Sequence, residues 1–331
     1  MMKNLVFGLV LVAMSLVVVW GLAEVYVRGT QTHVDNFDIE MWRYAQDMKR
    51  VSSIPGMGHE HVPNVSGTYM SVPVTINSVG WRDQDYSLEK PKDTVRIMML
   101  GDSVTFGWGA PPEGVTSMVL ESLLNQDGTS RRYEVLNTGI GNSNTAMQTA
   151  YFLNEGFRFQ PDIVVLNYFI NDAEPTPSRS QSFLVEHSYA MVFLAGRFDV
   201  LMRSYFGRGD WLSYYRGLYD EDQPGWLAAR EAIRQLVKFC EQHDMKFLIV
   251  NYPELHQVSP YPFQHVTDLL ASEASRYDTP FIDLLSTVQQ ENPRTLWVTP
   301  TDAHPNSKAG TLFAQGLQRA LAEHFPEYFS R

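Results

Sequence analysis

Short apolar runs alternate with helix-like stretches from residue 95 onward, and this alternation constrains the fold more than any other feature of the chain. The runs lie at 95–100, 133–136, 163–167, 247–250 and 281–284. Helical periodicity lies at 115–125, 143–157, 226–243, 264–276 and 307–323. Because strands that alternate with helices form parallel βαβ units, the sequence predicts an α/β domain whose central parallel sheet is covered on both faces.

The position of a ligand site follows from this topology. Open parallel sheets bind ligands beyond the carboxyl ends of their strands. The loops after residues 100, 136 and 167 are therefore predicted to carry the residues of a ligand-binding or catalytic site.

A serine follows the first of these strands. Residues 101–107 read GDSVTFG, so Ser103 stands between glycines that permit a sharp turn. Ser103 is either a nucleophile at a helix start or simply part of a helix N-cap, which is the commoner role of Ser and Asp. The segment matches neither a Walker loop nor a dinucleotide fingerprint, and no serine lies in the elbow of ordinary α/β-hydrolases.

A serine nucleophile needs a base, and a histidine stands near the other end of the chain. Residues 302–306 read DAHPN. Pro305 disfavours a helical conformation at His304, and an extended segment would turn Asp302 and His304 to the same side. Taken alone, this segment is also a common kind of helix start.

Two more loops carry candidate donors for a developing oxyanion. Residues 137–142 follow the second strand and residues 169–172 follow the third. Negative charge on a tetrahedral intermediate requires fixed N–H donors from the backbone or from an Asn side chain. All four segments fall at the edge of the sheet where one crevice is expected.

Together the segments GDSVTFG, NTGIGNSNT, FIND and DAHPN resemble, in this order, the blocks of the SGNH hydrolase superfamily, also called GDSL esterases and lipases. The resemblance covers about residues 95–323 and implies a flavodoxin-like, three-layer α/β/α sandwich. It implies Ser103 as nucleophile, His304 as base and Asp302 as the partner of His304. It also implies an oxyanion hole made by the Ser103 N–H, the N–H of Asn142 and the Asn171 side chain, with no metal and no organic cofactor.

The chain departs from the family pattern at three positions. The last block usually spaces its carboxylate and histidine as DxxH, but Thr301 holds that position and Asp302 is one residue closer. The donor glycine of the second block becomes Asn142, and Asn is the residue that best tolerates a positive φ after glycine. Phe169 replaces the usual glycine of the third block, next to an intact Asn171.

Residues 5–22 contain no charge and are long enough to cross most of a bilayer. The sequence favours an uncleaved signal anchor with Lys3 on the cytoplasmic side, and the alternative is a signal peptide cleaved near Ala23. Either way the rest of the chain is expected outside the cytoplasm, on the periplasmic side of a bacterial inner membrane. A single cysteine, Cys240, fits an oxidising compartment and is expected to pack within a helix.

The predicted organisation has an anchor at 1–28, a stalk and small β-rich region at 29–94, and a catalytic domain at 95–331. An aromatic, helical insertion at 174–225 is either an extra packed layer or a lid or membrane-resting surface. The net charge of −11 argues against binding nucleic acid.

Three further residues are weaker candidates. His59 and His61 suggest a metal site, but no third ligand stands at a typical spacing, so a solvated loop is the better interpretation. Arg82 pairs either with a substrate anion or with the neighbouring Asp83 or Asp85, and the local pair is favoured.

The sequence therefore predicts a membrane-anchored serine esterase that removes O-acetyl or other short acyl groups, from envelope carbohydrate as the leading substrate. The first alternative is an O-acyltransferase that acts on an extracytoplasmic polysaccharide together with an integral membrane acyltransferase. The others are a non-catalytic polysaccharide-binding scaffold and a phospholipase.

Overall fold

The computed structural model describes residues 2–31, 36–126, 131–176, 183–206 and 211–329. Within them the chain divides into two compact units. The smaller comprises 1–46 and 179–210, and the larger comprises 47–178 and 211–331. The predicted insertion is thus divided between the units, and its residues 177–182 and 207–210 lie outside the described ranges.

The elements alternate much as the hydrophobic pattern predicts. The helices are α1 (Met2–Gln31), α2 (Phe37–Met48), α3 (Ser103–Phe106), α4 (Thr116–Gln126), α5 (Thr145–Asn154), α6 (Phe183–His187), α7 (Tyr189–Phe206), α8 (Trp211–Gly217), α9 (Pro224–Gln242), α10 (Gln264–Arg276), α11 (Leu285–Val288), α12 (Ser307–His324) and α13 (Pro326–Phe329). The strands are β1 (Lys49–Val51), β2 (His59–His61), β3 (Ser66–Tyr69), β4 (Val72–Thr75), β5 (Thr94–Leu100), β6 (Arg132–Asn137), β7 (Ile163–Tyr168), β8 (Lys246–Asn251), β9 (Phe281–Asp283), β10 (Trp297–Thr299) and β11 (Asp302–Pro305).

The centre of the larger unit is a parallel sheet of five strands in the order β6-β5-β7-β8-β9. All seven residues of β5 are buried. Successive side chains of a strand point to opposite faces. Ile97 and Met99 of β5 accordingly join one core cluster, and Met98 and Leu100 join the other.

Helices cover both faces of this sheet. Residues of α4, α11 and α12 belong to the first core cluster, and residues of α5, α9 and α10 belong to the second. Cys240 on α9 is a buried member of the second cluster, in agreement with its predicted packing role. The predicted α/β/α sandwich with a central parallel sheet is therefore confirmed.

In the part of the chain that the structure describes, three two-stranded antiparallel sheets accompany the parallel sheet: β1 with β2, β3 with β4, and β10 with β11. The first lies within the predicted stalk range, where β1 residue Lys49 pairs with β2 residue His61. The third carries the predicted histidine segment, and a register irregularity falls between Trp297 and Thr299.

In the smaller unit, α1 is long and apolar enough to cross a membrane, and a signal sequence would pass the same criterion. Its apolar side chains are largely exposed as far as Leu22. Beyond them, Glu24 accepts hydrogen bonds from the Ser188 hydroxyl at 2.8 Å and the Ala190 N–H at 2.9 Å, at the start of α7. Helix α1 and the first turn of α7 are thus tied together within this unit.

Candidate active site

The candidate site lies beyond the carboxyl ends of β5, β6 and β7, with the β10–β11 hairpin beside them. Each of the four sequence segments reaches this edge from a different part of the chain. Three of the segments meet here because they follow parallel strands, which end at the same edge, and the β10–β11 hairpin brings the fourth beside them.

Ser103 is the first residue of α3, directly after a sharp turn. Gly101 has no room for a side chain, since a Cβ there would lie 2.0 Å from Thr105 Oγ1. The Asp102 carboxylate caps α3 by accepting from the Val104 N–H at 2.8 Å. Gly107 ends the helix at φ 79°, a conformation that glycine adopts without strain. The serine is therefore both an N-terminal helix residue, as the simpler interpretation held, and a buried residue in the crevice.

His304 meets Ser103 across the fold. Its Nε2 lies 2.9 Å from Ser103 Oγ, although 201 residues separate the two positions in sequence. The Asn306 side chain fixes the end of β11 by accepting from the Lys308 N–H at 3.0 Å at the start of α12. The same side chain donates to the Thr295 and Trp297 carbonyls, both at 3.0 Å.

Asp302 holds the other nitrogen of the imidazole. Its Oδ1 is 2.6 Å from His304 Nδ1 and accepts from the His304 N–H at 3.1 Å. The short DxH spacing brings the carboxylate to the ring because residues two apart in a strand share a side. Thr301, which holds the usual family position, is exposed.

Trp108 completes this hydrogen-bond chain and was not among the residues that the sequence predicted for the site. Its indole Nε1 donates to Asp302 Oδ2 at 3.1 Å, so each carboxylate oxygen has a partner. The next residue, Gly109, approaches the hairpin so closely that a Cβ would lie 2.4 Å from Val298. In the sequence, the signal available for this contact was a tryptophan directly after the serine segment.

The loop after β6 packs against the serine turn. The Ile140 N–H donates to the Gly101 carbonyl at 3.2 Å, and the Ser143 hydroxyl donates to the same oxygen at 3.1 Å. A Cβ on Gly139 would lie 2.3 Å from the Phe106 nitrogen, so only glycine fits there. Asn142 is exposed and has φ 59°, the left-handed conformation that the sequence analysis expected an Asn to tolerate.

Lys49 and His59 reach this same loop. Lys49 Nζ donates to the Gly141 carbonyl at 2.5 Å, and His59 Nε2 lies 3.1 Å from that oxygen. Burial lowers the pKa of Lys49 to about 7. Burial, together with the Lys49 charge, lowers the pKa of His59 to about 4. Gly141 O and the Asn142 N–H belong to one peptide group, so these side chains act on the predicted oxyanion donor.

The solvated-loop interpretation of His59 and His61 is wrong. Both belong to β2, and His61 is buried with its Nδ1 2.8 Å from the Gly80 carbonyl. The sequence pattern failed here because a three-residue strand carries too little periodicity to be recognised. Among the described residues, no cluster of three or more His, Cys, Asp or Glu side chains is arranged to hold a metal ion.

The loop after β7 brings Asn171 to the site. Its side chain faces Asp102, and its Oδ1 is buried without a hydrogen-bond partner among the described residues. Asp172 turns inward instead, where it accepts from the Phe169 N–H at 2.7 Å and from Gln148 Nε2 at 2.8 Å. Phe169 packs against both core clusters.

Arg82 supports the serine helix rather than a neighbouring acid. Its guanidinium donates to the carbonyls of Gly107 at 2.5 Å and Ala110 at 2.8 Å. Asp85, one of the predicted partners, accepts from Ser78. Arg82 therefore binds the loop after α3 and not the neighbouring acid that the sequence favoured. Its partners there lie 25 or more residues away in sequence.

The charges around His304 favour its protonated form. Burial lowers its pKa, but Asp302, Asp102 and Glu254 outweigh that effect, and the pKa of His304 is raised. Burial raises the pKa of Asp302, yet the bonds and charge of His304 lower it overall. Burial also raises the pKa of Asp102. The Asp302 carboxylate therefore stabilises the protonated form that His304 takes after acting as a base.

A second carboxylate and imidazole lie close by, in the loop after β8. His256 Nδ1 forms a very short contact with Glu254 Oε1, and its N–H donates to Glu254 Oε2 at 2.9 Å. The hydrogen bond that His256 donates to Glu254 raises the pKa of His256, and the charges of Asp302 and His304 act on it as well. The sequence analysis did not single out these residues, and their ExH spacing after a predicted strand was the available signal.

The fold and this crevice define an SGNH-type ester hydrolase. The chain belongs to the GDSL-like Lipase/Acylhydrolase family, whose pattern it matches over residues 99–310. It is accordingly a carboxylic ester hydrolase. A comparison with curated proteins finds no match.

Several solved structures are similar to the chain. One is a G-D-S-L family protein from Desulfitobacterium hafniense DCB-2, with 14% identity, a TM-score of 0.43, and coverage of 69% of this chain and 99% of that one. A second is the acetyl xylan esterase AlAXEase, with 16% identity, a TM-score of 0.44, and coverage of 69% and 100%. A third is a two-domain esterase active on acetylated mannans, with 15% identity, a TM-score of 0.47, and coverage of 72% and 51%.

Proposed function

We propose that the protein hydrolyses short acyl esters, O-acetyl esters above all, on extracytoplasmic carbohydrate through a Ser-His-Asp acyl-enzyme mechanism. The observation that carries this proposal is the 2.9 Å approach of Ser103 Oγ to His304 Nε2. The Asp302 contact to His304 Nδ1 at 2.6 Å supports it, since a base needs a fixed tautomer.

In the first half of the reaction, Ser103 Oγ attacks the ester carbonyl while His304 Nε2 takes the hydroxyl proton. The carbonyl electron pair moves onto oxygen in the tetrahedral intermediate. Its collapse breaks the bond to the alcohol, which leaves with the proton from His304. In the second half, water attacks the acyl-enzyme and His304 takes a proton from it. Collapse of the second tetrahedral intermediate breaks the bond to Ser103 Oγ, which receives that proton from His304, and the acid is released.

The oxyanion is stabilised in this proposal by the Ser103 N–H, the Asn142 N–H and the Asn171 side chain. The support is their place around α3: Ser103 begins that helix, the loop of Asn142 bonds to Gly101, and Asn171 faces Asp102. Removing one such donor typically costs about 10²–10³ in kcat.

The preference for a short acyl group rests on Phe169. Its ring stands two residues from Asn171, where the family pattern has glycine, and packs against both core clusters. We propose that a bulky side chain at this position reduces the space beside the reacting carbonyl. A long acyl chain would require that space.

The proposed location follows from α1. We propose that residues 29–94 and the catalytic domain, 95–331, lie on the periplasmic side, and the support is an apolar helix with Lys3 at its start. Carbohydrate polymers of the envelope are within reach of an esterase held there.

A fluorophosphonate probe tests the nucleophile on the full-length protein in detergent. We expect wild type to be labelled covalently and Ser103→Ala to remain unlabelled, with mass spectrometry locating the adduct on Ser103. A folded wild-type protein that resists the probe would contradict the proposal. Thermal melting of both proteins controls for unfolding.

Hydrolysis and acyl transfer differ only in the nucleophile that attacks the acyl-enzyme, which is water in the first and a sugar hydroxyl in the second. We expect p-nitrophenyl acetate to yield acetate even when an oligosaccharide acceptor is present. Acetylated acceptor as the main product would instead favour the O-acyltransferase and its integral membrane partner. Mass spectrometry of the oligosaccharide separates the two outcomes.

A further inference from the structure

Three rings form a surface beside the candidate site, and we call Trp211, His256 and Trp297 the aromatic platform. The imidazole lies between the two indoles, with ring centroids 5.1 Å from Trp211 and 5.0 Å from Trp297. The side chain of His256 is 48% exposed. Aromatic rings at a surface offer a flat apolar face, and a neighbouring imidazole adds a hydrogen-bonding group.

Hydrogen bonds to buried groups and to the backbone fix two rings of the platform, His256 and Trp297. Glu254 is buried and binds both the Nδ1 and the N–H of His256, while the Tyr261 hydroxyl accepts from the Glu254 N–H at 3.0 Å. Trp297 Nε1 donates to the Leu255 carbonyl at 2.8 Å. A carboxylate on Nδ1 orients the ring and leaves Nε2, on its far side, for a partner.

The platform lies on the His304 side of the site. Trp297 pairs with Pro305, the residue after His304, and the charge of Glu254 acts on His304. In acyl transfer the base on this side delivers its proton to the leaving alcohol, whereas the carbonyl oxygen faces the oxyanion donors. The alcohol part of an ester therefore lies toward the platform and the acyl part lies away from it.

The chemistry of the platform favours a sugar ring over an acyl chain. A pyranose has apolar C–H faces that pack on indole and hydroxyls that bond to an imidazole, whereas a fatty acyl chain gains nothing from a polar imidazole backed by a buried carboxylate. We propose that Trp211, His256 and Trp297 bind a neutral pyranose ring in the alcohol part of the ester. This inference rests on the proposed function for its orientation, and it names the subsite that selects the substrate.

The test separates binding from catalysis. Full-length Ser103→Ala in detergent is titrated calorimetrically with partially O-acetylated oligosaccharides of glucose, xylose and mannose, alone and combined with Trp211→Ala or Trp297→Phe. Tyr277→Ala is the matched control, since Tyr277 is a similarly half-buried aromatic residue that precedes β9 at the opposite edge of the sheet. Thermal melts verify that each variant is folded.

We expect at least one oligosaccharide to bind, with an affinity about tenfold weaker in the Trp211→Ala background and unchanged by Tyr277→Ala. In proteins with Ser103 intact, we expect Trp211→Ala to lower about tenfold the ratio of kcat/KM for the oligosaccharide to that for p-nitrophenyl acetate. No binding of any oligosaccharide, or equal binding by Trp211→Ala, would overturn the platform. If Trp211→Ala lost more kcat/KM on p-nitrophenyl octanoate than on the oligosaccharide, the proposal would be overturned too, because the rings would then bind the acyl chain. Failure of the proposed function is recognised separately, by turnover that survives Ser103→Ala.

Discussion

At the scale of single residues, the site depends on one carboxylate placed two positions before its histidine. Asp302 uses Oδ1 for the ring and the N–H of His304 and Oδ2 for the Trp108 indole. A buried carboxylate with all of these donors stays ionised, and its charge raises the pKa of His304.

Replacement of Asp302 by Asn should therefore change both rate and pH dependence. His304 acts as a base only when neutral, so wild-type activity is lost as the pH falls through its raised pKa. In Asp302→Asn that pKa falls, which shifts the acidic limb of the profile to lower pH, and the wrong tautomer lowers kcat by about a thousandfold or more. The measurement is kcat/KM for p-nitrophenyl acetate against pH.

Thr301→Ala is the control for this variant, because Thr301 holds the usual family position and is exposed. It should keep the wild-type profile. Near-normal turnover by Asp302→Asn, or a large loss in Thr301→Ala, would reject Asp302 as the carboxylate of the triad.

Lys49 offers a second residue-scale prediction. A charge bonded to the Gly141 carbonyl polarises the peptide and makes the Asn142 N–H a stronger donor. Lys49→Met should lower kcat by about tenfold, less than the loss of a whole donor, with little change in KM. Lys246→Met, far away at the start of β8, should have no such effect.

The pH profile distinguishes this role from a merely structural one. Because the pKa of Lys49 is lowered to about 7, its charge disappears as the pH rises through that value. Wild-type kcat should then decline on the alkaline side, and Lys49→Arg, which stays charged, should remove that decline. An alkaline limb unchanged in both Lys49 variants would contradict the role.

At the scale of elements, the β10–β11 hairpin must stay against the loop after α3 for His304 to reach Ser103. Gly109 makes this contact, at φ 68° and with no space for a Cβ beside Val298. Gly109→Ala should destabilise the fold by about 1–3 kcal/mol and move the hairpin, so that both Tm and kcat fall.

The chain provides a matched control in Gly217, where a Cβ would meet nothing within 4 Å and φ is not positive. Gly217→Ala should leave Tm and kcat near wild type. Adding Val298→Ala to Gly109→Ala should restore part of kcat, because it removes the side chain that clashes. A Gly109→Ala protein with unchanged kcat would show that the hairpin position does not depend on this contact.

At the scale of the whole molecule, the fate of α1 separates an anchored protein from one whose signal sequence is removed. The helix runs unbroken through Ala23 to Gln31, and Trp20, Ala23 and Val27 share one cluster with Ala190 and Val192. Cleavage of the folded protein near Ala23 would need this packed helix to open, since proteases cut exposed, flexible segments.

We therefore expect the mature protein to keep its first residues. It should stay in the membrane fraction through alkaline carbonate washing and dissolve only in detergent, and mass spectrometry should find the N-terminal peptide intact. A soluble protein that begins near Glu24 would identify α1 as a cleaved signal peptide instead.

The sequence by itself determined the alternation of strands and helices, and with it the edge of the parallel sheet where Ser103 and Asn171 lie. This was possible because apolar periodicity is local and parallel strands end together. It also predicted that Asp302 and His304 turn to the same side, because residues two apart in an extended segment share a side.

Only the tertiary structure decided what supports these residues. The bonds of Lys49 to Gly141, of Trp108 to Asp302 and of Arg82 to the loop after α3 join segments that are distant in sequence. So do the rings around His256. Such contacts leave no periodic pattern in a sequence, because they depend on where whole elements pack rather than on the spacing of neighbouring side chains.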